Sequence, residues 1–273
     1  MVATVLDRIA YTPASGAIGM HVTGVALDTP AGGEVGTALQ QALHEHGVLF
    51  FDFGRVLSRE EYEAFAALFG DLEDGYRLNT AKVLEFEVAA DPIMDSQRVP
   101  MKEFGINKWH SDGTLFEQPP QAAILNCVEA PDAGGETMWA SAYAAYEELS
   151  GPLQRMLEEL DVLHSSRRLE WMKSDATAIH PAVIRDPLTR RKALFVNSNY
   201  TDRILGMSER ESETILQMLF EHLNTPDFHV THRWQPGHVA VWEQRVTQHR
   251  GVTGFKGPRK LRRLTYLGDK PAR

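Results

Sequence analysis

Short β-forming runs are strung along the chain at residues 21–25, 47–53, 122–128, 193–197, 229–234, 238–242 and 261–267, with no helix regularly between them. A parallel sheet made of βαβ units needs a helix at each crossover, and a nucleotide-binding one needs a glycine-rich loop after a strand. The chain shows neither pattern. Several of the runs alternate apolar and polar residues, as half-buried strands do. Together they predict a mainly β protein, an antiparallel sheet or barrel with helices packed outside it. Pro236-Gly237 predicts a tight turn, and across it a hairpin joining 229–234 to 238–242.

The helices announce themselves by their ends. Ser58 and Glu61 form a capping box, as do Ser208 and Glu211, so helices are expected to start at both places. Tyr62, Phe65, Ala66 and Phe69 follow the first at helical spacing, with Gly70 as a stop. Ile215, Leu216, Leu219, Phe220 and Leu223 make one apolar stripe after the second, and Pro226 bars continuation. Residues 35–46 read as an amphipathic helix ending at Gly47. Residues 142–160 read as a helix broken near Gly151-Pro152. Residues 74–108 and 167–179 are polar and irregular, the kind of long loop that forms lids or binding loops.

Composition removes several classes. The chain is 43% hydrophobic, too apolar for disorder, and its one cysteine cannot form an internal disulfide. At 273 residues, the expectation is a single domain over 1–273 with a large core. A net charge of -9 argues against nucleic acid as a partner, although residues 256–263 are locally basic. No apolar run approaches the length of a membrane span and no targeting signal stands out, so a cytoplasmic protein with no membrane partner is expected. Cys127, Trp109 and Trp139 read as packing residues, and His164 and His180 as buried, hydrogen-bonded histidines.

With 11 histidines, a single one carries little information. His110 and Asp112 are separated by one residue, so an extended backbone would present an imidazole and a carboxylate on one face. His249 follows a β-like run late in the chain. Two histidines and a carboxylate on one face of a metal suit non-heme Fe(II) and oxygen chemistry, whereas zinc more often takes a tetrahedral site. Arg259 and Arg263 lie further on, four residues apart and hence on one face of a strand. Arginine is the side chain suited to gripping a carboxylate with two hydrogen bonds.

Three segments carry a family resemblance: Trp109-His110-Ser111-Asp112-Gly113-Thr114 followed by Pro119-Pro120, Gly134-Gly135-Glu136-Thr137-Met138-Trp139, and residues 241–249 with the arginines after them. In order and separation they resemble the taurine dioxygenase and 2,4-dichlorophenoxyacetate dioxygenase family of Fe(II)/2-oxoglutarate oxygenases, over nearly the whole chain. The resemblance implies a double-stranded β-helix, a cupin-like jelly roll with flanking helices. It implies that His110, Asp112 and His249 hold Fe(II), that Thr137 and Arg259 bind 2-oxoglutarate, and that Arg263 grips an anionic substrate. Tyr200 falls at a substrate-packing position, and Tyr76, Asn79 and Phe116 are further pocket candidates. Gln244 and Glu243 stand where the family usually has Asn and Asp. The substrate-facing His and Asn of the taurine-oxidising members are unmatched, with Gly75 and Ile106 or Asn107 near those positions, which points to a substrate other than taurine.

The implied reaction uses 2-oxoglutarate and O2, releases succinate and CO2, and hydroxylates a small organic anion such as a carboxylate, sulfonate or sulfate. Desaturation or cyclisation at the same iron site is one alternative, and a non-catalytic cupin-like binding or sensing protein is another. Relatives are often dimers or tetramers, so a homo-oligomer is expected.

Overall fold

The computed structural model describes residues 6–73, 84–87, 107–169, 172 and 174–273. In chain order the strands are β1 (Ala10–Pro13), β2 (Met20–Thr23), β3 (Val48–Asp52), β4 (Leu84–Glu87), β5 (Ala122–Glu129), β6 (Thr137–Ser141), β7 (Asp161–His164), β8 (Ala178–Pro181), β9 (Val183–Arg185), β10 (Lys192–Leu194), β11 (Thr201–Ile204), β12 (His229–His232), β13 (His238–Glu243), β14 (Thr247–Gly251) and β15 (Lys260–Thr265). The helices are α1 (Glu34–His46), α2 (Arg59–Ala66), α3 (Ala142–Glu147), α4 (Gly151–Glu158) and α5 (Glu209–His222). Both capping boxes form, at Ser58 and Ser208, and the expected break at Gly151-Pro152 separates α3 from α4.

The main sheet has the order β1-β2-β3-β13-β5-β15-β4, antiparallel except where β2 meets β3. A second sheet, β12-β6-β14, faces it. Side-chain alternation shows why this is a jelly roll and not an open sheet. Leu49 and Phe51 of β3, Ile124 of β5, and Val239 and Val241 of β13 pack under Leu39, Leu43, Tyr62 and Phe65 of α1 and α2. Their neighbours Val48, Phe50, Ala123, Leu125, Ala240 and Trp242 turn the other way, onto Trp139 and Val230 of the second sheet. Burial on both faces is what makes Val48-Leu49-Phe50-Phe51 a continuous apolar run. Cys127 is fully buried, its thiol pushed up to about 12 by burial, as an inert core residue should be.

Two expectations are corrected. Residues 229–234 and 238–242 do not form a hairpin, because β12 pairs with β6 whereas β13 pairs with β3 and β5. The Pro236-Gly237 turn instead carries the chain between sheets. It is pinned by the Gly237 N–H donating to the Cys127 carbonyl (3.0 Å) and by the Gly237 carbonyl accepting from Phe53 N–H (3.4 Å). The stretch 74–108 is not loop throughout, since residues 84–87 add β4 to the sheet edge beside β15. No helix among the described residues is long and apolar enough to cross a membrane.

The interior also holds a pH-sensitive pair. His232 stacks on Phe50 at 4.6 Å and shares a 3.2 Å hydrogen bond with Nδ1 of His238, which lies 3.8 Å from Asp52. Burial, reinforced by His238 and His21, pushes His232 down to about 3. A histidine whose folded value lies below its unfolded one loses stability as pH falls through about 6.5 toward that value, because the unfolded chain takes up the proton more readily. We expect the urea midpoint to fall between pH 7 and pH 5, and His232→Phe to remove roughly 1–2 kcal/mol of that loss. An undiminished loss in the variant would show that the pair is not its source.

Candidate metal and cosubstrate site

β14 is held by β6, with His249 opposite Trp139. The segment containing His110 crosses the free side of β14 and makes one two-bond bridge to it. The His110 N–H donates to the His249 carbonyl at 3.1 Å, and the His249 N–H returns a bond of 2.8 Å. This bridge brings the two rings to 4.3 Å between centroids. The hydroxyl of Ser111 donates to the Thr247 carbonyl at 2.7 Å, a third stitch. Asp112 is therefore not on a strand with His110, as the one-residue spacing suggested; it opens the turn that follows. That turn depends on Gly113, at φ +63°, where a Cβ would stand 2.9 Å from Pro120.

Bridge and turn converge on one point. His110 Nε2 lies 3.7 Å from Asp112 Oδ1, and His249 Nε2 lies 3.5 Å from Asp112 Oδ2. One ligand atom from each of the three buried residues falls within 4.8 Å of the others. Burial lowers the proton affinity of both imidazoles and keeps them neutral. Burial alone would raise the Asp112 carboxyl, but Arg263, the two histidines and Gln244 hold it well below the usual carboxylate range. His110 Nδ1 donates to the Lys108 carbonyl at 2.7 Å, which leaves Nε2 as the lone-pair atom. Two neutral imidazole nitrogens and one ionised carboxylate are the protonation states that a divalent metal requires.

Gln244 orients the carboxylate. Its Nε2 donates to Asp112 Oδ2 at 2.5 Å and its Oε1 accepts from the Asp112 N–H at 3.3 Å. Arg263 Nη2 donates to the same Oδ2, with its guanidinium 5.7 Å over the Trp242 ring. The lengthened neighbour Glu243 is absorbed by a buried ion pair, accepting from Arg245 Nε at 2.8 Å.

A second polar cluster lies between β6 and the start of β15. Arg259 is 3% exposed. Its Nε donates to the Gly135 carbonyl at 2.8 Å and its Nη2 to Thr137 Oγ1 at 3.3 Å. Thr137 Oγ1 also accepts from Trp234 Nε1 at 2.9 Å, so its own hydrogen is left to donate elsewhere. No carboxylate pairs with Arg259 among the described residues. Burial lowers its pKa to about 10. A buried guanidinium without a counter-ion is a place for an incoming carboxylate. Gly135, at φ +73°, shapes this pocket: a Cβ there would sit 3.0 Å from Arg259 Cδ. Gly135→Ala should push the guanidinium aside and raise the apparent 2-oxoglutarate Kd by about tenfold, a strain of 1–3 kcal/mol. Unchanged binding would show that the pocket tolerates the methyl.

The other predicted residues divide. Tyr200 and Phe116 meet in an apolar cluster with Leu115, Leu169 and Met172, immediately after the Asp112 turn. His164 and His180 brace that turn, His164 Nδ1 at 2.9 Å from Thr114 Oγ1 and His180 Nε2 at 2.9 Å from the Thr114 carbonyl. Tyr76 and Asn79 lie outside the described residues, as do Gly75 and Ile106. Sequence reasoning missed the Lys108 carbonyl and Trp234, since a backbone acceptor and a distant indole leave no motif.

A jelly roll with a buried His, Asp, His set and a buried arginine that bonds to no carboxylate among the described residues is the architecture of 2-oxoglutarate-dependent non-heme iron oxygenases. The chain belongs to the TauD/TfdA family: the profile described as "Taurine catabolism dioxygenase TauD, TfdA family" matches residues 10–265. It is 32% identical to an alpha-ketoglutarate-dependent sulfate ester dioxygenase of Pseudomonas putida, covering 95% of this chain and 89% of that one. It is 31% identical to an alkylsulfatase of Acinetobacter baylyi, covering 93% and 84%. A crystal structure of a taurine dioxygenase from Burkholderia xenovorans superposes with a TM-score of 0.81 at 31% identity, covering 97% and 92% of the two chains. The protein is thus an oxidoreductase that uses Fe(II), 2-oxoglutarate and O2, and the reading as a non-catalytic binding protein is set aside.

Proposed function

We propose that the protein hydroxylates a small organic anion within one domain spanning residues 1–273, with His110, Asp112 and His249 holding the iron. Thr137 and Arg259 hold 2-oxoglutarate by its distal carboxylate. The observation that carries this reading is the buried Arg259 guanidinium, which has no carboxylate partner among the described residues. Bound Fe(II), with 2-oxoglutarate and O2, supplies the oxidising chemistry and leaves succinate, CO2 and a hydroxylated substrate.

The chain's own residues bind and orient. Gln244 and Arg263 occupy Asp112 Oδ2, which leaves Oδ1 facing His110 for the metal. Arg263 sets a guanidinium beside Asp112, the group suited to gripping a substrate's carboxylate, sulfonate or sulfate. Tyr200 and Phe116 give that substrate an apolar wall. Two relatives are named for sulfate esters or alkyl sulfates, so a linear alkyl sulfate is the first substrate to test. Hydroxylation of the carbon bearing the sulfate would collapse to an aldehyde and free sulfate. A cytoplasmic homo-oligomer completes the proposal.

The test begins without oxygen. Adding Fe(II) and 2-oxoglutarate to the metal-free protein should produce the visible charge-transfer band of the chelate. Admission of O2 with alkyl sulfate should then release succinate in step with sulfate, and Arg263→Ala should raise the KM for alkyl sulfate by about tenfold or more. Absence of the band in folded, iron-loaded protein would overturn the cosubstrate assignment. An unchanged KM would remove Arg263 from the substrate site.

A further inference from the structure

A chain of buried polar groups runs from the end of α1 to the metal carboxylate. His44, in the last turn of α1, is buried. Its Nδ1 lies 2.6 Å from Asp186 Oδ2. Burial alone would raise the Asp186 carboxyl, but His44 and Thr189 hold it at about 2, so the carboxylate accepts and Nδ1 donates. Asp186 is itself fixed by the turn between β9 and β10, its Oδ1 accepting from the N–H groups of Leu188 (2.9 Å) and Thr189 (2.7 Å). The other ring nitrogen of His44 faces two groups. Neutral, Nε2 accepts from Gln121 Nε2 at 3.4 Å; protonated, it faces Glu243 Oε2 at 3.7 Å.

Both of those groups lead to Gln244. The Gln244 N–H donates to the Gln121 carbonyl at 2.8 Å, and Glu243 precedes Gln244 in the chain. The Glu243 N–H donates in turn to the Gly47 carbonyl at 2.9 Å, just past His44. A Cβ at Gly47 would stand 2.8 Å from Thr247 Cγ2, and Thr247 Oγ1 donates to the Glu243 carbonyl at 2.8 Å. The end of α1 is thus pressed against the reversal that joins β13 to β14. We propose that His44 is a positioning residue for the metal site: anchored on Asp186, it holds Gln121 and Glu243, and through them the Gln244 amide that orients Asp112. The inference rests on the reading of Asp112 as the iron's carboxylate. Glutamine has one more rotatable bond than asparagine, and a group supporting a metal ligand works only when its own rotamer is locked. The packing behind Gln244 supplies that lock.

The test is a double-variant cycle on the full chain. Wild type, His44→Leu, Gln244→Leu and the double variant are titrated with Fe(II) and 2-oxoglutarate without oxygen, reading Fe(II) affinity and the position of the charge-transfer band. His44→Leu should weaken Fe(II) binding by about tenfold and move the band in the same direction as Gln244→Leu does. In the Gln244→Leu background the same substitution should cost no more than about twofold, because the amide it positions is gone. Asp186→Asn keeps the ring but removes the oxygen that anchors it. It should weaken Fe(II) binding about threefold, so the role stays testable if His44→Leu does not fold. Unchanged affinity and band in both His44→Leu and Asp186→Asn would overturn the positioning role. So would losses from His44→Leu and Gln244→Leu that multiply in the double variant, since His44 would then act independently of the amide. A wild type that binds no iron would overturn the metal reading itself, and the inference with it.

Discussion

Asp112→Ala should weaken Fe(II) binding at least about a hundredfold and abolish measurable succinate release. Removing a residue that merely supports a metal ligand typically costs 10–100-fold in affinity, so losing the only anionic ligand of a three-ligand set sets a floor above that range. The structure adds a second reason. The ionised Asp112 sits between two neutral imidazoles and beside Arg263, so without it an incoming dication would lose the one carboxylate that the described residues place at this point. Gln244→Leu removes one hydrogen bond to Oδ2 and leaves the carboxylate. It should fall between wild type and Asp112→Ala, with affinity down about 10–100-fold. Metal content after anaerobic reconstitution and dialysis, read beside the charge-transfer band, measures both. Stoichiometric iron in Asp112→Ala would remove Asp112 from the ligand set.

How much of this was legible before the structure depends on whether a feature was local. The capping boxes at Ser58 and Ser208 set helix starts within a single turn, and both formed. β3, β5 and β13 were visible because burial on both faces writes a continuous apolar run. β14 was not. Its residues Thr247-Gln248-His249-Arg250-Gly251 are polar because one face serves the metal centre while the other sends Gln248 to the Val196 carbonyl. The Pro236-Gly237 hairpin failed for a related reason: a turn signal says that the chain reverses, not which sheet receives it. At the site, the residue types His110, Asp112 and His249 were readable. The spatial device was not, since a single backbone bridge between His110 and His249 leaves no periodicity. Arg259 could be nominated from its spacing to Arg263, but that no carboxylate among the described residues bonds to it is a fact of burial and packing.

That lack of a bonded carboxylate among the described residues makes Arg259→Met the sharpest discriminator between fold and function. Holding Arg259 charged in the interior is disfavoured, its pKa lowered to about 10 by burial, which corresponds to roughly 3 kcal/mol. Its hydrogen bonds to the Gly135 carbonyl and Thr137 Oγ1 offset part of that. Losing them leaves a buried carbonyl unpaired, at about 1–3 kcal/mol. The two effects oppose each other, and methionine fills much of the same volume, so the ligand-free protein should change in stability by no more than about 1 kcal/mol, in either direction. Binding has no such compensation. A carboxylate brought into the pocket would lose its charged partner, and truncating one side of a buried charge pair costs about 2–5 kcal/mol, a Kd raised roughly 30-fold to several-thousand-fold. Urea midpoints of the metal-free variant should therefore match wild type while 2-oxoglutarate titrations of the charge-transfer band fail to saturate. Parallel losses in both would make Arg259 a structural residue. Unaltered titrations would place the cosubstrate's distal carboxylate elsewhere, with the basic stretch at 256–263 the next place to look.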